Sequence, residues 1–531
     1  MPLRPTARWT LVTVMVAVLL VAACSTGAPP TTLPTTPPTT PGSPGPVEPA
    51  PIDRVTGRYV VDPGPLDTLW VDPVAGQDSR PGTTPELALR TLAEAWNRIP
   101  AGTPLTRGVR IVLRPGTHPE SSLPNYLEHR HGTAAAPILI ESERGPGTSI
   151  LGGDLNVFDV DHLVLTGIDI VWAGDSFHCE QCRHLVIRNS RMWAGGSAHE
   201  VVKVNQSQHV YIEDSDLGGA DDNVVDFVAV QHGHLRGNDL HDAGDWCAYV
   251  KGGSHDIVVD GNEIHECGTG GFTAGQGTGF EFMVAPWLHH EASGITVTNN
   301  VVHDTDGAGL GVNGGAHVLF AHNTLVRVGA RSHVVEFVHG GRGCDGDMVA
   351  CRARRALGGW GSDAAEGQFI PNRDIAFIDN VIWNPPGHGS AWQHVDVRGA
   401  VAAPVASGVP SPARGDDGLR ITGNVIWNGP ADHPSGFGQG CSDANPTCNE
   451  TLFRSSNWVN TVEPRLVDPV GGDWRPAPGG ALSALSGVPF PAWDWTGDPS
   501  GSGPLSPTDP GRDRAGLSRP AGAVPGAYLP G

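Results

Sequence analysis

The chain has 531 residues, is rich in glycine (72) and proline (47), and contains 6% aromatic and 17% charged residues. This composition suits many short strands and turns and disfavours a helical bundle. The formal net charge is −22. A phosphate backbone needs a basic face, so we expect no nucleic acid partner.

The first 24 residues have the pattern of an export signal. Arg4 and Arg8 precede the apolar run LVTVMVAVLLVAA, which ends at Cys24. A basic start, a short apolar run and small residues before the cut are typical of a secretory signal. VAAC, residues 21–24, resembles the bacterial lipobox. We expect an exported lipoprotein, anchored in the membrane at the cell surface only through lipid on Cys24. The alternative is an ordinary signal with an incidental cysteine.

Residues 25–58 are rich in Pro and Thr, cannot form a core, and are predicted to be an extended, disordered stalk. From Leu69 a strand and a turn lead into one amphipathic helix, predicted over about residues 85–99. Its apolar residues lie at 88, 89, 92, 95, 96 and 99. We interpret this helix as a cap on the domain that follows.

An internal repeat dominates the rest of the chain. Nine segments, from Gly167 to Ile426, align on a four-residue core at offsets of 22, 25, 23, 24, 38, 23, 57 and 44 residues. Short alternating strands such as HVYIED and DIVVDG recur between Gly, Asp and Asn turns. A unit of 22–25 residues buries its apolar face only by stacking on its neighbours, which predicts an all-β parallel β-helix.

Recurrent asparagines are expected to form a ladder along one turn of this helix. They are residues 238, 262, 300, 323, 380 and 424. The predicted domain covers residues 59–485, with insertions near 277–291 and 339–372 and a Pro/Gly-rich tail at 486–531.

Two stretches carry a resemblance to a known family. VDPVAGQDSRPGTTPELALRTLAEA, residues 71–95, looks like the N-terminal cap of secreted right-handed β-helix proteins with the pectin-lyase fold. Residues 251–315 resemble a bacterial, largely uncharacterised group of that superfamily. The likeness covers about residues 69–480. It implies a right-handed parallel β-helix and a polysaccharide ligand, and these relatives carry no activity to transfer. We expect a monomer.

Eight cysteines remain after Cys24, an even number in an oxidising compartment, so we expect disulfides. Spacing suggests the pairs Cys344–Cys351, Cys441–Cys448, Cys179–Cys182 and Cys247–Cys267. A zinc site at the CxxC of residues 179–182 is the weaker alternative, because no second ligand pair follows at finger spacing.

Lysine occurs only at positions 203 and 251. Each follows its core apolar residue by 11 positions, so we expect both lysines on one sheet, two coils apart in the same register. Gln276 and Asn313 would continue this line as substrate-binding residues. Lysine, unlike arginine, can act as a base when it is desolvated.

Similar β-helix polysaccharide lyases use Lys or Arg to remove the C5 proton of a uronic acid. The resemblance therefore makes Lys251, and secondarily Lys203, the predicted catalytic base. The alternative is a surface charge ladder in which two lysines remain by chance.

Three carboxylates follow one turn and predict a cation site. Asp221, Asp222 and Asp226 offer hard oxygen ligands that suit Ca²⁺. The cluster is similar to the Asp-Asp-x-x-Asp of polysaccharide lyase family nine, but it has one residue too many before its third Asp. A solvated acidic turn is the alternative.

The insertion at 277–291 is expected to wall the binding groove, because long loops on rigid scaffolds often carry function. Trp287 would stack on a sugar, and three polar residues would bind it or transfer protons: His289, His290 and Glu291. The insertion at 339–372 adds arginines for a substrate carboxylate: Arg342, Arg352, Arg354 and Arg355.

His-acid pairs at 241–242, 265–266 and 303–304 occupy one repeat position and so predict a structural stack. The first functional hypothesis is a surface-anchored polysaccharide lyase that uses Lys251 as its base. The alternatives are a glycoside hydrolase of the same fold, which needs two carboxylates, and a non-catalytic glycan-binding or cell-wall-binding protein.

Overall fold

Successive repeat units lie directly above one another as coils. The computed structural model describes residues 51–195, 197–287, 289–358, 368–392, 394–402, 411–429, 448–493 and 511–530. A typical coil adds one strand to each of three parallel sheets, and each strand pairs with those one coil before and after it. This pairing satisfies the backbone donors and acceptors between coils. The chain is therefore a parallel β-helix, as the repeat predicts.

The first sheet contains the strand that includes the motif HVYIED. Its members are Leu66–Val71, Gly108–Leu113, Ile138–Ser142, the second half of Leu155–Thr166, Arg183–Arg188, Gln208–Glu213, Gln231–Arg236, Ser254–Asp260, Ala292–Thr298, Gly315–Ala321, Arg373–Ile378 and Arg420–Thr422.

The second sheet has 12 strands and carries the four-residue core of the repeat. Its members are Gly116–Pro119, Ser149–Gly152, Asp169–Trp172, Arg191–Ala194, Asp216–Ala220, Asp239–Ala243, Glu263–Cys267, Val301–Thr305, Thr324–Val328, Val381–Asn384, Val425–Asn428 and Trp458–Val459.

The third sheet follows the second in each coil. Its members are Leu127–His131, the first half of Leu155–Thr166, Phe177–Glu180, Glu200–Asn205, Asn223–Val228, Trp246–Lys251, Gly270–Ala274, Ala308–Asn313, Val335–Val338 and Val395–Val397. The long strand Leu155–Thr166 pairs in both the third and the first sheet, which links the two.

A few elements lie outside the coils. A small sheet joins Gly277–Gly279, Gly340–Gly343 and Gln368–Ile370, and a hairpin joins Leu466–Asp468 to Asp473–Pro476. The α-helices are Leu92–Asn97, Met348–Leu357 and Glu450–Ser456; the 3-10 turns are Pro85–Leu87, Glu120–Ser122, Phe280–Phe282 and Ala481–Ala484. Among the described residues, no helix combines the length and apolar character needed to cross a membrane.

The predicted helix over 85–99 is wrong in length, because an extended segment interrupts it. Leu89 pairs with Val71 of the first sheet as an extended residue. The α-helix begins only after Thr91, whose hydroxyl accepts a hydrogen bond from the backbone N–H of Glu94 at 3.1 Å. Threonine is a preferred N-cap, so the helix start follows from the local sequence.

The asparagine ladder is present and fully buried. Each side-chain amide donates to the Oδ1 of the asparagine one coil on, at 2.8–3.0 Å, through the series Asn238, Asn262, Asn300, Asn323, Asn380, Asn424 and Asn457. The same oxygen accepts a backbone N–H from the coil before. The ladder therefore pairs polar groups that water cannot reach.

The His-acid pairs form the predicted structural stack. His241, His265 and His303 lie parallel on the second sheet, with ring centroids 5.1 and 4.7 Å apart. Burial alone would lower the pKa of His265, but Asp239 at 3.0 Å and Glu266 at 3.3 Å raise it above its usual value. Each imidazole of the stack therefore has carboxylate partners beside it.

A second imidazole stack lies at the turn between the third and first sheets. His162, His184, His209 and His232 have left-handed backbone conformations with φ between 53° and 61°. Consecutive rings stack 4.2–5.1 Å apart. Burial, followed by the neighbouring imidazoles, lowers the pKa of His184 to about 3 and that of His209 to about 4.

Two terminal segments pack on the β-helix, although the sequence assigned them to the stalk and the tail. In residues 51–58, Arg58 forms an ion pair with Asp214 of the first sheet. In residues 511–530, Arg514 donates to a carbonyl oxygen of the β-helix at 2.6 Å. The export signal, Cys24 and the stalk before residue 51 lie outside the described residues.

Three predicted disulfides are present: Cys179–Cys182, Cys247–Cys267 and Cys344–Cys351. Cys448 is also disulfide-bonded, and the partner that the sequence predicts for it, Cys441, lies outside the described residues. The zinc alternative for residues 179–182 is wrong.

We expect Asn300→Ala to lower the free energy of unfolding by about 1–3 kcal/mol, because it leaves the amide groups of Asn262 buried without their acceptor. Urea denaturation followed by circular dichroism measures the change. Asn97→Ala, on an exposed helix position, is the control and should leave the midpoint unchanged. Equal midpoints for both variants would contradict a stabilising role for the ladder.

Candidate functional site

The outer face of the third sheet carries a line of polar residues, one per coil, which we call the polar column. In register, its members are His178, Lys203, Asp226, Tyr249, Thr273, Gly311, Glu336 and Asp396. Their neighbours along each strand, such as Val225 and Phe227, point into the core. Alternation along the strands therefore presents the column outwards.

Lys203 is held between two carboxylates. Its Nζ donates to Glu200 Oε1 at 2.6 Å and lies 3.2 Å from Asp226 Oδ2. Burial alone would lower the pKa of Lys203, but the charges of Asp226 and Glu200 raise it above its usual value. A lysine stabilised as an ammonium ion cannot accept a proton at neutral pH, which argues against Lys203 as a catalytic base.

Lys251 lies on the same sheet two coils later. Its Nζ donates to Tyr249 Oη at 3.1 Å and to Gln276 Oε1 at 3.2 Å, and lies 3.9 Å from Asp226 Oδ2. Its side chain keeps 14% of its surface exposed. The structure thus brings Lys251 and Gln276 together, beside Tyr249 of the polar column.

The predicted common register of the two lysines is wrong. Lys203 pairs with Asp226, which pairs with Tyr249, whereas Lys251 pairs with Val228. The turn before the Lys203 strand has five residues, 195–199, where the next coil has two. The longer turn displaces Lys203 along its strand, so Lys251 lies two residues beyond the polar column.

Two carboxyl groups of unequal character lie side by side at the upper end of the column. Glu336 and Asp396 are partners on neighbouring strands. Burial, followed by the negative charge of Asp396, raises the pKa of Glu336 to about 7. Asp396 is ion-paired with Arg398 at 3.0 Å. Glu336 is therefore about half protonated at neutral pH, next to a carboxyl group that is ion-paired.

The indole of Trp246 lies on this face and extends over the two coils that follow it. A Cβ at Gly270 would lie 2.3 Å from its ring, and one at Gly311 would lie 2.8 Å from it. The two glycines therefore make room for the indole beside Tyr249 and Glu336.

The predicted calcium ligands do not come together as a set of three. Asp221 and Asp222 lie at the turn that starts a strand, and Asp226 lies further along that strand, 1% exposed and paired with Lys203. Burial, followed by the negative charge of Asp245, raises the pKa of Asp222. The calcium prediction then rests on the turn residues Asp221 and Asp222 without Asp226.

Glu291 is not a substrate-binding residue, because it is fully buried. It forms a buried ion pair with Arg342, and its other oxygen accepts from Thr278 at 2.7 Å and from the backbone of Gly252 at 3.0 Å. A buried carboxylate needs such partners. The ion pair therefore fastens the 277–291 insertion to the 339–358 segment, and Arg342 is unavailable to a substrate carboxylate.

The two insertions pack on one another around a small apolar core: Phe280, Met283, Cys351, Ile370 and Ala413. Trp287 packs against this core with Arg354 5.9 Å from its ring. His289 Nε2 bonds to the carbonyl oxygen of Gly358 at 2.9 Å. His290 Nδ1 bonds to that of Pro371 at 3.1 Å. These side chains therefore hold the insertions together.

The insertion lies along one edge of the third sheet. Gln206 donates to the carbonyl oxygen of Phe282 at 3.1 Å, and Gln231 donates to that of Ala285 at 2.5 Å. Gln206 follows a third-sheet strand and Gln231 begins a first-sheet strand, so the insertion lies beside the turn between these two sheets.

Several residues of this face were not predicted from the sequence: Glu200, Asp245, Trp246, Tyr249, Glu336 and Asp396. Counting along strand partners from Asp226, rather than from the second-sheet core, would have found Tyr249. Glu336 and Asp396 follow coils with long insertions, and the repeat alone does not give their register.

Residues 159–344 match the family model described as right handed beta helix region. Together with the sheets, this match identifies the chain as a right-handed parallel β-helix protein. This agrees with the right-handed parallel β-helix predicted from the sequence. No curated protein matches the sequence.

Solved structures of this fold are similar to the chain at low identity. A rhamnogalacturonan lyase is 15% identical, with 67% of this chain and 87% of that chain covered and a TM-score of 0.40. The A-module of Azotobacter vinelandii mannuronan C-5 epimerase AlgE6 is 13% identical (64% and 89%, TM-score 0.39). Pectate lyase Pel9A is 11% identical (88% and 97%, TM-score 0.40).

We expect the stability of wild type and of Glu336→Gln to diverge as pH rises. When the pKa of a carboxyl group is higher in the folded than in the unfolded state, the folded protein loses stability as pH rises. The loss occurs between the unfolded pKa, about 4.3, and the folded pKa of about 7. Glutamine does not titrate, so the melting temperature of the variant should exceed that of wild type by more at pH 8 than at pH 5. A constant difference would contradict the raised pKa.

Proposed function

We propose that the protein is a carbohydrate-active enzyme that hydrolyses a neutral polysaccharide on its polar face. The observation that carries the proposal is Glu336, whose pKa is raised by burial and by the charges of Asp396 and Asp245. Glycoside hydrolysis needs one carboxyl group that is protonated at working pH and a second that is ionised. The polysaccharide enzymes among the solved structures of this fold are consistent with a glycan ligand.

Glu336 is the proposed general acid, which protonates the leaving oxygen of the glycosidic bond. Asp245, half-buried at the edge of the face, is the proposed second carboxylate, and its charge acts on Glu336. The negative charge of Asp396 raises the pKa of Glu336, which favours the protonated form of this acid. Asn313 hydrogen-bonds Glu336 and would hold the acid toward the sugar.

The charge of the face favours a neutral glycan over a polyuronate. Six carboxyl groups lie on or beside it, Glu200, Asp222, Asp226, Asp245, Glu336 and Asp396, against the three cations Lys203, Lys251 and Arg398. One of these, Lys203, is neutralised by its own partners. An anionic chain would meet net repulsion here unless a cation such as Ca²⁺ were bound.

Elimination by a polysaccharide lyase is the second candidate, and Lys251 is the observation that favours it. Its ammonium group lies beside Tyr249 and Gln276 on the same face. Lys251 Nζ is already engaged by Tyr249 and Gln276 and lies 3.9 Å from Asp226 Oδ2, and for this reason we place hydrolysis first.

Product analysis separates the two reactions. The exported protein is assayed on neutral and uronic-acid polysaccharides with and without Ca²⁺. New reducing ends without ultraviolet absorbance indicate hydrolysis, and reducing ends with the absorbance of an unsaturated uronate indicate elimination. Binding without either product would contradict both reactions and leave a glycan-binding protein.

On the substrate that is cleaved, we expect Glu336→Gln to lower kcat about 10²–10⁴-fold, the contribution of a general acid. Asp245→Asn should cause a loss of similar size. Glu128→Gln, an exposed position in the first coil of the same sheet, is the matched control and should keep full activity. Loss of activity in Lys251→Ala with full activity in Glu336→Gln would instead support the lyase.

We also propose that the enzyme works outside the cell, held at the surface by lipid on Cys24. Metabolic labelling with a fatty-acid analogue tests this: Cys24→Ala should lose the label and appear in the medium. Labelling of that variant would contradict the anchor.

A further inference from the structure

Among the described residues, one group of three side chains has the composition and spacing of a metal site: His232, His255 and Asp256. It lies at the turn between the third and first sheets, apart from the polar column. We propose that these residues bind a zinc ion.

The distances fit tetrahedral zinc coordination. His232 Nδ1 lies 3.2 Å and His255 Nδ1 lies 3.1 Å from the same oxygen, Asp256 Oδ2. Zinc bonds nitrogen and oxygen at about 2.0–2.1 Å, which places neighbouring ligands of a tetrahedron about 3.3 Å apart. The three ligand atoms all lie within 4.8 Å of one another, so one ion can contact all of them once they move closer, and a water molecule would complete the site.

The imidazole stack explains how the three ligands meet. Asp256 occupies, one coil later, the position that His232 holds at the end of the stack. The ring of His255 lies at 86° to that of His232, with centroids 5.0 Å apart, instead of continuing the stack. The perpendicular ring turns its Nδ1 toward Asp256, so two nitrogens and a carboxylate converge on one point.

Burial and hydrogen bonding also indicate a ligand at this point. The side chains of His255 and Asp256 are 2% and 6% exposed, and that of His232 is 12% exposed. His232 Nδ1 is buried and faces Asp256 Oδ2 at 3.2 Å, the same oxygen that His255 Nδ1 contacts. A bound cation would satisfy this nitrogen, since neutral imidazole and carboxylate are ordinary zinc ligands.

The site would join two consecutive coils below the 277–291 insertion. Gln231, next to His232, donates to the carbonyl oxygen of Ala285 in that insertion. Zinc would therefore fix the turn on which the insertion rests, a structural role that is independent of the proposed hydrolysis.

The test uses the full chain, freed of metal with EDTA and titrated with ZnCl₂ by calorimetry. We expect one zinc ion per chain, a higher melting temperature with zinc, and visible absorption bands of a tetrahedral site with Co²⁺. His255→Ala and Asp256→Asn should bind zinc at least tenfold more weakly and lose the zinc-dependent shift in melting temperature.

His209→Ala, one coil earlier in the same stack, is the control and should bind zinc as wild type does. Each variant is compared with itself with and without zinc, so a general loss of stability does not imitate loss of the site. The proposal is overturned if wild type binds no zinc, or if His255→Ala and Asp256→Asn bind it as wild type does. Asp256 then serves only as a hydrogen-bond acceptor for the two imidazoles.

Discussion

Pairing between equivalent residues of successive coils is the constraint on which this molecule depends. Each strand is completed by the coils before and after it, and the asparagine ladder adds buried hydrogen bonds at one turn. Hydrogen bonds in a low-dielectric interior are strong, and unpaired donors there are costly. A shift of one coil against the next would break the ladder hydrogen bonds between them, so the ladder helps to fix the register of the outer side chains as well as that of the core.

Because equivalent residues of successive coils stack, chemically similar side chains lie together. Their mutual repulsion is reduced in two ways. On the second sheet, imidazoles such as His265 have carboxylate partners, which raise the pKa values of the imidazoles. At the turn between the third and first sheets, His184 and its neighbours are buried without enough negative charge, and their pKa values are lowered. The pKa of the same residue type is therefore raised in one stack and lowered in the other. The charged groups that surround each imidazole decide the direction of its pKa shift.

Features that depend on the period alone could be predicted from the sequence. The asparagine ladder, the histidine stack of the second sheet and three disulfides all follow from residues that recur at a fixed position or from close spacing. Features that depend on the length of a single turn could not. The five-residue turn at 195–199 moved Lys203 away from the register of Lys251, and the insertions hid the register of Glu336 and Asp396. A helix that looked continuous in the sequence was divided because Leu89 pairs with Val71.

The insertions show why the polar residues of loops were poor indicators of the site. An insertion leaves the coil stack and has no neighbouring coil to pair its polar groups. It must build its own core, and here Glu291 and Arg342 form a buried pair within it. Removing one partner of such a pair would leave an uncompensated charge, so these residues are committed to structure. The polar column, in contrast, lies on strands whose backbone is already satisfied. Its side chains lie on a rigid surface, which is the condition that a precise catalytic geometry requires.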